Sequence, residues 1–169
     1  SAIVVAQGPG GFSAVRVGLS VAKSLAMARV IPLVAINTLD IEASPLLNIG
    51  RPVSAVIGAG RTRVYLATYS GGIPSENQYR VVGREQLADN LQDDTLLCGE
   101  EAATVASLVG TGVTVPAIPT PTRRPSVLAR LGYERLLENC IDNPDTLQPI
   151  YMQSAQFKKA DQARKQRIK

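Results

Sequence analysis

The chain opens on an unbroken apolar run, Ala2-Ile-Val-Val-Ala6, of the kind a strand covered on both faces carries. It runs straight into Gly8-Pro-Gly-Gly-Phe-Ser13. From 13 to 29 the spacing turns helical: Ala14, Val15, Gly18, Leu19, Ala22, Leu25 and Ala26 share one side, with Arg16, Ser20, Lys23 and Met27 on the other. Ser13 is placed to cap this helix and Pro32 to follow its end. Leu33 to Ile36 forms a second short apolar run, after which Asn37 or Thr38 caps a helix that Pro45 disturbs.

The texture changes at Arg51-Pro52. Val53 to Ile57, Arg63 to Tyr69 and Gln78 to Val82 read as strands, the last two joined by a turn at Gly71-Gly72 and Pro74, which makes an antiparallel meander. A short helix over Arg84 to Leu91, a strand over Thr95 to Cys98, a helix entered at Gly99-Glu100 and stopped at Gly110, and a strand over Val113 to Val115 follow. Pro116 to Pro125 is a connector, and Ser126 to Cys140 the last clear helix. Three antiparallel strands followed by alternating helix and strand is the order of a ribonuclease-H-like lobe, so the fold class is α/β. The expected division is 1–48 as the remainder of a first such lobe, 49–143 as a second, and 144–169 as a C-terminal segment with a basic tail.

Composition narrows the chemistry. None of the 169 residues is histidine, which excludes Ser-His-Asp and Cys-His nucleophiles, HExxH zinc hydrolysis and His-ligated metals within this chain. Cys98 and Cys140 form no CxxC pair and are expected as buried reduced thiols. No apolar run approaches the roughly 18 residues of a membrane span, and a soluble, cytoplasmic protein is expected. The net charge of +4 is unevenly spread: residues 158–169 hold six basic residues against Asp161, leaving the other residues at −1. Such a tail is a solvated end or an arm that meets phosphate.

The glycine turn is the foremost candidate for a site: Gly8, Gly10, Gly11, Phe12 and Ser13 could hold an anion or nucleotide through backbone N–H groups and a helix N-terminus. It lacks the Lys-Ser/Thr of the phosphate loop and does not fit GxGxxG, and its glycines equally suit a sharp strand-to-helix reversal. The ridge Gly18, Ala22, Ala26 admits close approach of the chain's own sheet or of a partner helix. Asp93-Asp94, Glu100-Glu101 and the Glu134/Glu138 pair sit where helix starts and solvated faces carry acids, with Arg130 and Arg135 beside that pair. No catalytic constellation and no metal site emerges.

Gln7-Gly-Pro-Gly-Gly-Phe-Ser-Ala-Val-Arg-Val-Gly-Leu19 resembles the GPGSFTGLRIG segment of the TsaB (YeaZ) family. Val53 to Tyr65, Leu97-Cys-Gly-Glu100 and Gln148 to Gln153 resemble the family's hairpin, its strand ending in Gly and its closing PvYlr motif. Gly11 and Ser13 replace the usual Ser and Thr, and Gly58 stands where an Asp is common. The resemblance implies two ribonuclease-H-like lobes of the actin-like ATPase superfamily, with the first strands of lobe one preceding residue 1. It further implies a non-catalytic subunit that pairs with a TsaD-type catalytic subunit and works with a TsaE-type ATPase. Their shared product would be threonylcarbamoyladenosine in tRNAs reading ANN codons, with ATP or ADP at the complex interface and tRNA reached through the complex.

The partner-docking helix would be Ser13 to Arg29, through Arg16, Gly18, Ala22, Lys23 and Ala26. Charge reversal at Arg16 or Lys23 is expected to spare the fold. Self-association is expected too, through the open edge of Ile3 to Ala6 and the apolar surface of that helix. Two other readings stand beside this one: a stand-alone nucleotide-binding enzyme of the same superfamily, and an RNA-binding α/β domain.

Overall fold

The computed structural model describes residues 1–71, 73–117 and 122–152, with the backbone alone for 73–78. The basic tail and part of the proline-rich connector lie outside the described residues. Two sheets organise the chain. In the first, β1 (Ile3–Gly8) pairs in parallel with β2 (Leu33–Asn37), joined by α1 (Phe12–Arg29). In the second the strand order is β5-β4-β3-β6-β7, formed by β3 (Val53–Gly58), β4 (Arg63–Ser70), β5 (Ile73–Gly83), β6 (Thr95–Cys98) and β7 (Val113–Thr114).

The expected meander is present: Val53 pairs with Tyr69 and Gly58 with Val64, antiparallel, and β6 adds to β3 in parallel. Strands β6 and β7 are linked by α3 (Ala102–Val109), a unit that β1-α1-β2 repeats in the first sheet. This is the ribonuclease-H-like order in the second lobe and its last two strands in the first.

Each sheet is packed on both faces. Alternate residues of the first, Ile3, Val5, Leu33 and Ala35, meet Leu19, Ala22 and Ala26 of α1. The other set, Val4, Ala6, Val34 and Ile36, meets α4 (Pro125–Leu137) through Val127, Leu128 and Leu131. Helix α4, within the expected 49–143 unit, thus packs on β1 and β2 of the first sheet. The short helix α2 (Thr38–Ala43) joins the lobes, sending Leu39 and Ala43 into the core of the second sheet and Ile41 into that of the first.

Several local expectations change. Gly11 precedes the first residue of α1, and no side chain caps it, so Ser13 lies inside the helix rather than at its cap. Asn37 does cap α2, accepting from the Leu39 N–H. Arg84 to Leu91 forms two short 3-10 turns, because Leu87 is driven into the core between them. Cys98 is buried but Cys140 is exposed, three residues beyond the end of α4. Arg135 does not lie on a solvated face: it donates to the Ala35 carbonyl and pairs with Asp142 at 3.4 Å. Asp142 in turn accepts from Ala35 N–H at 2.8 Å and donates its own N–H to Leu33 O, so side chains and a passing segment close the outer edge of β2.

Candidate functional site

The carboxyl ends of β1, β2, β3 and β6 open on one crevice, where ligands of α/β sheets bind. It is a cleft of about 550 Å³ between the lobes, lined by Pro9, Gly10 and Gly11 of the turn, Thr38, Gly58, Glu100 and Arg123 among others. The turn glycines differ in what holds them. Gly8 has φ +103°, a conformation side chains rarely adopt, and the Gly8–Pro9 bond is cis. A Cβ on Gly10 would sit 3.3 Å from Val15, whereas Gly11 is constrained by neither φ nor space. The reversal and its packing therefore explain Gly8 and Gly10.

What remains for binding is the N-terminus of α1, whose first N–H groups have no side-chain cap and no acid in the first turn. Phe12 and Ser13 are both exposed there.

The opposite wall is acidic and tied down. Gly99, with φ +95°, passes so close to β3 that a Cβ would meet the Val56 backbone at 3.2 Å, and this approach carries Glu100 into the cleft. Glu100 accepts from Gly58 N–H at 3.1 Å and from Arg123 Nη2 at 2.7 Å. Arg123 N–H donates to Glu42 of α2 at 3.0 Å, so one residue links both lobes. Burial raises the Glu42 pKa, opposed by the Arg123 hydrogen bond and charge and aided by Glu100. Burial, with Glu42 nearby, pushes the Cys98 thiol up to about 12, which leaves it an unreactive core group at neutral pH.

The sequence pattern does not mark Glu42, Glu100 or Arg123 as site residues. Glu100 follows the parallel strand β6 directly, a position where crevices form, whereas Glu42 sits inside α2 and Arg123 in the connector before α4. At Gly58 a Cβ would lie 3.4 and 3.6 Å from Glu101 and Glu100 oxygens, ordinary contact distances, so the acidity of this wall rather than lack of space bears on a carboxylate there. A nucleotide fits the cleft in part: Gly10, Gly11 and the start of α1 would receive its phosphates, while Glu100 is neutralised by Arg123. Among the described residues no group of three or more His, Cys, Asp or Glu could hold a metal.

Helix α1 has three faces, and the structure redistributes the docking residues among them. Leu19, Ala22 and Ala26 are buried against the sheet, so the small ridge serves the chain's own core. Gly18 is exposed, with nothing within 4 Å of a Cβ. It lies in an outward apolar stripe with Ala14, Val17, Val21 and Leu25, the last three 63%, 53% and 48% exposed. Arg16 and Lys23 form the third face and are not idle surface: Arg16 Nε donates to Tyr151 OH at 2.6 Å, and Lys23 Nζ to Leu147 O at 3.0 Å. Reversing either charge would therefore also remove a tie to the C-terminal segment. That segment also reaches β1, where Ile150 N–H donates to Gln7 O.

These features define a two-lobed α/β protein whose second sheet has the ribonuclease-H-like strand order, with an interlobe crevice and an apolar helix face turned outward. The family model described as TsaD: tRNA N6-adenosine threonylcarbamoyltransferase matches residues 1–114. The chain belongs to the family this model describes, and its similarity extends to TsaB and YeaZ proteins.

It is 30% identical over 146 residues to the tRNA threonylcarbamoyladenosine biosynthesis protein TsaB of Bacillus subtilis (strain 168), covering 80% of this chain and 63% of that protein. It is 36% identical over 111 residues to the tRNA N6-adenosine threonylcarbamoyltransferase of Geobacter sp. (strain M21), covering 64% of this chain and 29% of that one. The chain thus spans less than two thirds of either relative. YeaZ from Pseudomonas aeruginosa superimposes with TM-score 0.70 at 21% identity, over 90% of this chain and 74% of that chain. A second solved structure, an uncharacterized protein with similarity to peptidase YEAZ from the same organism, gives 0.74 over 90% and 73%.

Proposed function

We propose that the protein is a non-catalytic subunit of the assembly that forms threonylcarbamoyladenosine in tRNA, and that it docks a TsaD-type catalytic subunit through α1. The observation that carries this reading is the outward stripe Ala14, Val17, Gly18, Val21 and Leu25, an apolar face with an open glycine at its centre. Small and branched residues at this spacing suit close packing of a second helix. The names of the relatives supply the process, and the absence of histidine from these residues means that they cannot contribute a histidine-built metal centre.

In this reading a TsaE-type ATPase and tRNA join through the complex, and ATP or ADP would use the interlobe cleft. The same stripe would serve self-association when the catalytic partner is absent. A cytoplasmic setting suits the process, and no described helix is long and apolar enough to cross a membrane.

The test replaces Val17 and Val21 by Glu in the full-length protein. Both side chains are exposed, so the fold should survive, while co-purification with the catalytic partner and the threonylcarbamoyladenosine content of tRNA should fall. A folded variant with normal pairing and normal modification removes α1 as the docking face. Normal modification after deletion of the gene removes the function itself.

A further inference from the structure

We propose that the groove between α1 and the segment Leu147 to Tyr151 is a contact for single-stranded RNA, with phosphates at Arg16 and Lys23 and bases stacked on Phe12 and Tyr151. This rests on the reading that the protein works on tRNA, and adds the surface by which this subunit would touch it. The groove has a volume of about 310 Å³, with Arg16, Ser20 and Lys23 on one wall and Gln148 and Tyr151 on the other. Phe12 and Tyr151 are 59% and 51% exposed, with ring centroids 5.9 Å apart. The Arg16 guanidinium lies 3.7 Å from the Phe12 centroid and 5.4 Å from that of Tyr151. Exposed aromatic rings held by a cation form the kind of platform on which unpaired bases stack, and every base offers a face to it.

Charge selects the occupant. Arg51, Arg84, Arg123, Arg130 and Arg135 are each paired with a carboxylate. Arg16 and Lys23 have no carboxylate partner among the described residues; their hydrogen bonds go to a phenol and a carbonyl. No acidic residue occurs before Asp40, so residues 1–39 carry three basic groups with nothing to offset them. Residues 158–169, beyond this segment in the sequence, add +5, while 40–157 hold nine basic and thirteen acidic residues, or −4. Positive charge is therefore concentrated in the parts of the chain that border the groove or follow it in sequence, as a polyanion requires.

The apolar stripe does not compete for the same ligand. At 3.6 residues per turn, positions 17, 21 and 25 lie roughly 150° around α1 from 12, 16, 20 and 23. One helix can thus meet a protein on one side and RNA on another.

The full-length protein is titrated with a fluorescent single-stranded RNA and with a blunt RNA duplex, across a range of KCl concentrations. The single strand should bind more tightly. Arg16→Gln and Lys23→Gln should each flatten the slope of log K against log salt by about 0.7, the single-strand value per phosphate contact. Phe12→Ala and Tyr151→Ala should weaken binding about five-fold or more at unchanged slope. Arg16→Lys, which keeps the charge, should keep the slope.

If all four loss variants are folded by circular dichroism and bind as the unaltered protein does, the groove is not an RNA contact. If RNA binding is unchanged while co-purification with the catalytic partner is lost, it is a protein contact. The parent reading is tested separately: gene deletion that leaves modification intact defeats it, whereas deletion that abolishes modification beside variants that still bind RNA defeats the groove alone.

Discussion

Gly132 of α4 faces Val4 of β1 so closely that a Cβ built on it would lie 2.5 Å from Val4 Cγ2, 3.0 Å from its Cβ, and nearer still to Cγ1. Carbon atoms in contact sit about 3.5–4.0 Å apart, so Gly132→Ala must push helix and strand apart by about 1 Å or more. Rotating Val4 gives no relief, because its Cβ is already too near. Overpacking of this kind costs about 1–3 kcal/mol, and the upper part of that range applies here. Alanine in a helix interior returns about 1 kcal/mol over glycine, leaving a net loss of about 1–2 kcal/mol.

Urea denaturation of Gly132→Ala, Val4→Ala and the double variant measures this directly, provided the slope of free energy against urea is shared. Val4→Ala alone should cost about 1 kcal/mol for a half-buried side chain losing two methyls. The double variant should then be at least as stable as Gly132→Ala, a coupling of about 1–2 kcal/mol. A Gly132→Ala protein as stable as the parent, or more stable, would show that helix propensity outweighs the contact and that α4 is not seated on β1 as described.

Three further outcomes are expected. Burial raises the Asp40 pKa from 3.8 despite hydrogen bonds from Tyr69 and Tyr79, so the native state holds a proton more tightly than the unfolded chain, and this group's share of stability falls as pH rises through that window. Asp40→Asn should flatten the dependence of urea midpoint on pH above 4 while keeping an acceptor for the phenols; an unaltered pH profile would assign it elsewhere. Asp142→Ala should cost about 1–3 kcal/mol in thermal or urea unfolding, because Ala35, 2% exposed, loses the acceptor for its N–H, whereas Asp142→Asn should cost less. Gly58→Asp would set a third carboxylate beside Glu100 and Glu101 and should lower the melting temperature at low salt, with recovery on adding salt or Glu100→Gln; no change would mean the wall relaxes freely.

Short-range pattern was enough for the order of elements, the β3-β4-β5 meander and the strand–turn–helix at Gly8. Each is fixed by residues adjacent in sequence or paired across a short loop. The family likeness was legible for the same reason, since its motifs sit on those turns. What the pattern could not show is which surface covers each apolar face. Helix α1 is apolar around most of its circumference, so periodicity alone could not separate Leu19, Ala22 and Ala26, which are buried, from Val17, Val21 and Leu25, which are not.

The tertiary structure also placed α4 on the first sheet rather than the second. Val127 and Leu131 match either core chemically, and only the geometry of Val4, Val34 and Ile36 with Gly132 selects one. In sequence Arg16, Lys23, Arg123 and Arg135 are simply cations, with nothing to show what each meets. Folding brings segments more than 80 residues apart to them, and makes two of them tethers of the C-terminal segment, one a bridge between lobes and one the seal on a sheet edge.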